Sequence, residues 1–76
     1  MVSPFLLIEC NHGAIEIVLS DLVKLGPEII YKIAGSQYDI ITRIHADNKG
    51  RLKKLAAEIR ELDNIRSTLS LIILTQ

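Results

Sequence analysis

The segment "IAGSQYDIITRI", residues 33–44, joins two apolar stretches through a short polar break. Gly35 adopts a positive φ at no steric cost, and the serine and glutamine that follow it are ordinary turn residues. Tyr38 and Asp39 open the second apolar stretch, although aspartate is disfavoured in strands. Asp39 therefore either accepts backbone amides and holds the shape of the loop, or belongs to a small polar pocket with the loop amides. The residues alone favour the structural role.

Outward from this turn, the hydrophobic pattern predicts six elements. Short apolar and β-branched runs predict strands at residues 4–10, 29–34, 38–46 and 65–74. Helical spacing predicts one helix from Ala14 to the Gly-Pro break at 26–27, capped by Asn11, and a second that Asp47 caps. The order β-α-β-β-α-β predicts an α+β, ferredoxin-like fold, in which a four-stranded antiparallel sheet carries both helices on one face.

The first and last strands are apolar on both sides, whereas a sheet with one face in water should alternate between apolar and polar residues. The first strand alternates Phe5 and Leu7 with Leu6, Ile8 and Cys10. The last strand continues the pattern, with Leu69, Leu71 and Ile73 on one side and Ile72 and Leu74 on the other. We therefore expect the face without helices to pack on a second copy of the chain. A domain this short needs such support, because its own core is small.

The composition limits the other possibilities. With 76 residues the chain forms one domain, and 9 basic and 9 acidic residues cancel, which argues against an autonomous nucleic-acid binder. No apolar run approaches the ~18 residues of a membrane span, so a cytoplasmic protein is expected. One cysteine excludes an internal disulfide, and with two histidines it makes a poor metal set.

No catalytic motif stands out. Cys10 near His12 is typical of a buried cysteine and a loop histidine rather than of a nucleophile pair, and His45 is expected on the third strand. Thr68 and Ser70, two residues apart, place hydroxyls on one face of the last strand. The second helix opens with a basic group that is either a solvated face or a contact for an acidic neighbour or a nucleic-acid backbone: Lys49, Arg51, Lys53 and Lys54.

Three stretches together resemble a known family. They are "IYKIAGSQYDIITRI", with its glycine turn before Tyr-Asp, "IRSTLSLIIL", with spaced hydroxyls before aliphatics, and the link "KLGPEII". In order and spacing they resemble the RAM domain (regulation of amino acid metabolism) of the leucine-responsive regulator/AsnC (Lrp/AsnC) family, over essentially the whole chain.

The resemblance implies a non-catalytic module without cofactor or metal. It implies sheet-to-sheet dimers, rings of dimers such as octamers or decamers, and amino-acid effectors bound in clefts between dimers. Turn amides would hold the effector carboxylate, and Asp39 would accept from its ammonium group. The matching effector-binding positions are Gly35, Ser36, Gln37, Tyr38, Asp39, Thr68 and Ser70.

Two departures from the family qualify this expectation. The turn has one residue more before Tyr38 than the family's, and the family's helix-turn-helix is absent, so any effect on DNA would pass through partners such as full-length Lrp/AsnC regulators. Two alternatives stay open. One is a small enzyme of the dimeric α/β-barrel kind, such as a cofactor-free monooxygenase, and the other is a structural oligomer without a ligand.

Overall fold

The structure, a computed structural model, describes residues 4–72, and its six elements follow the predicted order. The strands alternate with two helices, and the chain has the ferredoxin-like α+β fold. The bounds are β1 Phe5–Cys10, α1 Ile15–Leu25, β2 Ile29–Lys32, β3 Ile40–Arg43, α2 Lys49–Arg60 and β4 Ile65–Leu71.

The four strands form one antiparallel sheet in the order β2-β3-β1-β4. β1 pairs with β3 through Ile8 opposite Ile40, and with β4 through Ile8 opposite Thr68. β1 therefore separates the β2–β3 connection from β4. The latter lies at one edge of the sheet, and β2 lies at the other.

The core lies between the helices and one face of the sheet. Its fully buried side chains are almost all aliphatic: Leu6, Ile8, Val18, Leu22, Ile40, Ile44 and Ile59. Thr42 is the buried polar exception, and its hydroxyl donates to the Ile29 carbonyl at 2.8 Å. On the second helix, Leu52, Leu55 and Ala56 pack against this core, and Leu62 just beyond the helix does the same.

Both predicted N-caps are wrong. α1 begins one turn later than an Asn11 cap requires, because Asn11 accepts the Ala14 amide through its backbone carbonyl at 3.0 Å. That bond closes a turn ahead of the helix. At α2 the cap is Asn48 and not Asp47, and its side chain accepts from the Arg51 amide at 2.9 Å. The predicted glycine end of α1 is confirmed at Gly26, where φ is 74°.

The second and third strands are shorter than predicted. β2 ends at Lys32 and β3 begins at Ile40, so residues 33–39 form a connection longer than the predicted three-residue turn. β3 ends at Arg43, which places His45 beyond the strand on which it was expected. The predicted end of the last strand at residues 73 and 74 lies outside the described residues.

Candidate functional site

The face of the sheet opposite the helices is apolar in two cross-strand rows. Neighbouring residues in a row are opposite one another in the strand registers, so their side chains share a face. One row is Ile29, Arg43, Phe5 and Leu71, and the other is Tyr31, Ile41, Leu7 and Leu69. Seven of these eight side chains are apolar or aromatic. We call the eight residues the open face.

Polar groups on this side of the sheet lie around or within the open face. The Arg43 guanidinium lies 5.9 Å from the centre of the Phe5 ring, and its buried Nε has no hydrogen-bond partner within the described part of the chain. The nearest acid is Glu28, whose Oε2 lies 3.7 Å from that Nε. In the next row, Ser67 donates to Glu9 at 2.7 Å. The open face is thus a largely apolar area with a polar margin, which is the pattern of a protein interface.

The connection between β2 and β3 holds its shape through its own polar groups. Gly35 has a φ of 89°, as the turn prediction requires. The Ser36 hydroxyl accepts from the Tyr38 amide at 3.1 Å. The Asp39 amide donates to the Ile8 carbonyl at 2.8 Å. These two amides already have acceptors, so the loop amides still available for an anion are those nearer Gly35.

Asp39 braces the point where β3 leaves β1. Its Oδ2 accepts from the Cys10 amide at 2.8 Å, and its backbone carbonyl accepts from the Ile33 amide at 2.9 Å. An unpaired, partly buried amide is costly, and a carboxylate is a strong acceptor for it. The structural role that the residues alone favoured is therefore present, while Oδ1 has no hydrogen-bond partner among residues 4–72.

Thr68 and Ser70 lie on the helix side of β4, on one face as predicted. Each is opposite a core residue of β1, Ile8 and Leu6 respectively. Arg60 at the end of α2 joins them: its Nε donates to Thr68 Oγ1 at 3.3 Å, and its Nη2 donates to Ser70 Oγ at 2.9 Å. The sequence pattern does not predict a role for this arginine, because the contact depends on how α2 packs on β4.

One chain does not bring the two halves of the predicted effector site together. β1 lies between β3 and β4, so the backbones of these strands are about 10 Å apart. No hydrogen bond or ion pair within residues 4–72 joins residues 35–39 to Thr68 or Ser70. Within one chain, these are therefore two separate polar groups.

Cys10 and His12 do not form a nucleophile pair. The thiol is buried and His12 is exposed in the turn. Burial, with a smaller contribution from the nearby Asp39 carboxylate, raises the pKa of the Cys10 thiol above its ordinary value of 9.0. A raised pKa keeps the thiol protonated at neutral pH, which suits a core residue and not a nucleophile. Within residues 4–72, no three His, Cys, Asp or Glu side chains are grouped as metal ligands.

An open cleft of about 540 Å³ lies at the opposite end of the sheet from the β2–β3 connection. The end of α1 and one side of α2 form its walls, with Leu25 and Leu55 as apolar contacts. His45, which was expected on a strand, also lines this cleft. Its charged side chains have mixed signs: Asp47, Arg51, Lys54 and Glu58. Arg51 and Lys54 belong to the basic group that the sequence shows at the start of the second helix, but the sequence does not predict the cleft.

None of the helices within residues 4–72 has both the length and the apolar character needed to cross a bilayer.

No family model matches the chain, and no curated protein matches it. Solved structures do. FFRP-DM1 has a TM-score of 0.86 and 26% identity, over 97% of this chain and 100% of that one. A hypothetical protein from Pyrococcus horikoshii, PHS023, has a TM-score of 0.84 and 26% identity, over 100% and 93% respectively.

A third similar structure, MtbAldR, is only 14% identical, with a TM-score of 0.78. The match covers 99% of this chain and 54% of MtbAldR, so this chain corresponds to about half of that protein. FFRP-DM1 and MtbAldR are of the Lrp/AsnC type. The fold of this chain is therefore one that regulators of that type contain, which associates it with a regulatory domain in a broad sense.

Proposed function

We propose that this chain is a non-catalytic regulatory module that assembles through its open face and senses an amino acid. The two expectations differ in kind. Assembly concerns the apolar side of the sheet, and sensing concerns the polar groups of the β2–β3 connection and of β4. The similarity of the fold to FFRP-DM1 and MtbAldR supports both.

The observation that carries the proposal is the composition of the open face. Leu69 is 44% exposed, Leu71 is 39% exposed and Tyr31 is 63% exposed, and all three belong to one contiguous surface. Monomeric proteins rarely leave a contiguous apolar sheet face in water. A second copy, related by a two-fold axis, would cover it with the same surface. The dimer would then be two sheets packed face to face.

Sensing follows from assembly. Because β1 separates the β2–β3 connection from the β4 hydroxyls in one chain, an effector that touches both groups would meet them on subunits of adjacent dimers. A ring of dimers, such as an octamer or decamer, supplies those neighbours. Asp39 Oδ1 and the loop amides near Gly35 are the groups of the connection that remain free to meet such a ligand among the described residues.

Mixed assemblies give this module a route to regulation. A full-length Lrp/AsnC regulator that presents the same sheet face would accept this chain in place of its own copy. The chain would then change the assembly or the ligand response of its partner without contacting DNA.

A thermal-shift screen with each of the twenty amino acids tests the sensing part. At least one amino acid should raise the melting temperature in a concentration-dependent way, because a ligand that binds only the folded state stabilises it. D-enantiomers of the responding amino acids serve as matched controls. A well-folded oligomer that responds to none of the twenty contradicts amino-acid sensing and favours the structural oligomer.

A further inference from the structure

We infer that Arg60, held by Thr68 and Ser70 at the edge of the sheet, is a carboxylate-binding residue. The inference rests on the proposed function for the identity of the ligand, which is then the α-carboxylate of the amino-acid effector. It adds a second group that can bind the carboxylate to the turn amides near Gly35, because the Tyr38 and Asp39 amides already have acceptors within the chain.

The position of Arg60 is fixed from two sides. It is the last residue of α2, where a cation is favoured by the negative end of the helix dipole. The two hydroxyls of β4 accept from Nε and Nη2 at 3.3 and 2.9 Å. An arginine held in this way loses less side-chain freedom when it binds a ligand than a freely rotating one does.

Arg60 also differs from other cations near the sheet. Lys32 pairs with Glu16, Arg43 with Glu28, and Arg66 with Glu9, the last at 4.0 Å between Nε and Oε2. Arg60 is exposed, and no carboxylate pairs with it in the part of the chain that the structure describes. Its full charge is therefore available to an anion.

The cluster is rich in hydrogen-bond donors. A guanidinium has five N–H groups and no acceptor, and two of the five are used here. Each hydroxyl oxygen already accepts from Arg60, so its own O–H remains to donate and one lone pair remains to accept. A negatively charged acceptor meets these donors best, because it also meets the positive charge of the guanidinium. A carboxylate fits best, because its two oxygens match parallel N–H groups of a guanidinium.

Nuclear magnetic resonance on the intact protein tests this site with sodium acetate as the probe. The Arg60 Nε–Hε resonance should shift in a saturable way with acetate and should not shift with sodium chloride at the same ionic strength. Followed through the backbone amide resonances of Thr68 and Ser70, which every variant keeps, acetate binding should weaken by about tenfold or more in Arg60→Gln, because this change removes the charge-assisted hydrogen bonds. Arg60→Lys keeps the positive charge but loses the planar guanidinium with its parallel N–H groups. Its affinity for acetate should therefore lie between those of the wild type and Arg60→Gln.

Arg66→Gln is the matched control, because Arg66 is also exposed and belongs to the same strand as the two hydroxyls. It should leave the acetate response unchanged. A purely structural arginine predicts a different result: Arg60→Gln lowers the free energy of unfolding, while acetate leaves the wild-type Arg60 resonance in place. That result, or an equal shift with chloride, overturns the inference.

The amino-acid screen separates this inference from the proposed function. If an amino acid stabilises the wild type and Arg60→Gln equally, sensing stands and the Arg60 site is refuted. If acetate titrates Arg60 but none of the twenty amino acids stabilises the protein, the carboxylate site stands and amino-acid sensing is refuted.

Discussion

At the residue scale, Asp39 has a structural role that explains its unusual position in the sequence. Its carboxylate accepts from the Cys10 amide, twenty-nine residues away. It thus supplies a hydrogen-bond acceptor at the point where the backbone of β3 departs from β1. The sequence shows an acid at this position, and it allows either a loop-bracing role or a place in a polar pocket. It cannot show which amide the carboxylate binds, because that amide belongs to a distant strand.

Replacing Asp39 with alanine should lower the free energy of unfolding by about 1–3 kcal/mol, because the Cys10 amide loses its acceptor in a partly buried place. Asp39→Asn keeps a carbonyl acceptor and should cost less. Urea titration at one fixed protein concentration measures both. Gln37→Ala is the control, because that loop residue is exposed and its side chain makes no hydrogen bond to the loop within residues 4–72, so its change should stay within about 0.5 kcal/mol. Equal stability of Asp39→Ala and wild type contradicts the bracing role.

The raised pKa of Cys10 predicts a loss of stability in alkali. The native state holds the thiol proton more tightly than the unfolded chain, whose thiol has the ordinary pKa of 9.0. The stabilising contribution is complete below that pH and declines as the pH rises above it. Cys10→Ala should therefore show a flatter dependence of unfolding free energy on pH over this range. Parallel pH curves for the two proteins speak against a buried, neutral thiol.

At the element scale, the hydrophobic spacing predicts the order of all six elements, and it does not predict most of their ends. Asp47 and Asn48 are adjacent, and both residue types cap helices, so the sequence does not distinguish them. Similarly, the apolar run after Tyr38 predicts an earlier start of β3. The bonds of Ser36 and Asp39 to backbone groups keep the chain out of the strand until Ile40.

Asn48→Ala should destabilise the protein by about 1 kcal/mol, because the Arg51 amide loses its cap. Asp47→Ala is the matched neighbour and should change the unfolding free energy by less than half as much. Urea titration of the two variants side by side decides between the caps. A larger effect at Asp47 would restore the cap that the sequence suggested.

Arg60 is the functional candidate that pattern analysis could not find. It stands eight and ten residues before Thr68 and Ser70, a spacing that has no meaning within either element. Only the packing of α2 beside β4 makes the three side chains neighbours. The hydroxyls themselves were predictable, because their spacing of two places them on one face of a strand.

At the scale of the whole molecule, the open face is the surface through which we propose that the chain assembles. Both faces of the sheet were predicted to be apolar, and the registers place seven apolar or aromatic side chains on the side without helices. The fold of this chain and that of FFRP-DM1 coincide over nearly its full length. The number of subunits and their arrangement depend on contacts between chains, which the structure of one chain does not contain. Assembly therefore remains the central prediction.

A charge on the β4 side of the open face should break the assembly. Leu69→Lys should raise the dissociation constant of the dimer on the order of 100-fold, because a symmetric interface loses the buried leucine twice, at about 1.5 kcal/mol or more each. Leu69 is 44% exposed in the single chain, so the fold should survive the change. Val23→Lys is the matched control, since Val23 is an exposed apolar residue on α1, away from the sheet.

Sedimentation velocity of the wild type, Leu69→Lys and Val23→Lys over a wide concentration range tests this account most directly. The wild type and Val23→Lys should sediment with at least twice the 8.5 kDa mass of one chain, and Leu69→Lys should dissociate toward that mass on dilution. A wild type that keeps the mass of a single chain at every concentration would contradict assembly through the open face.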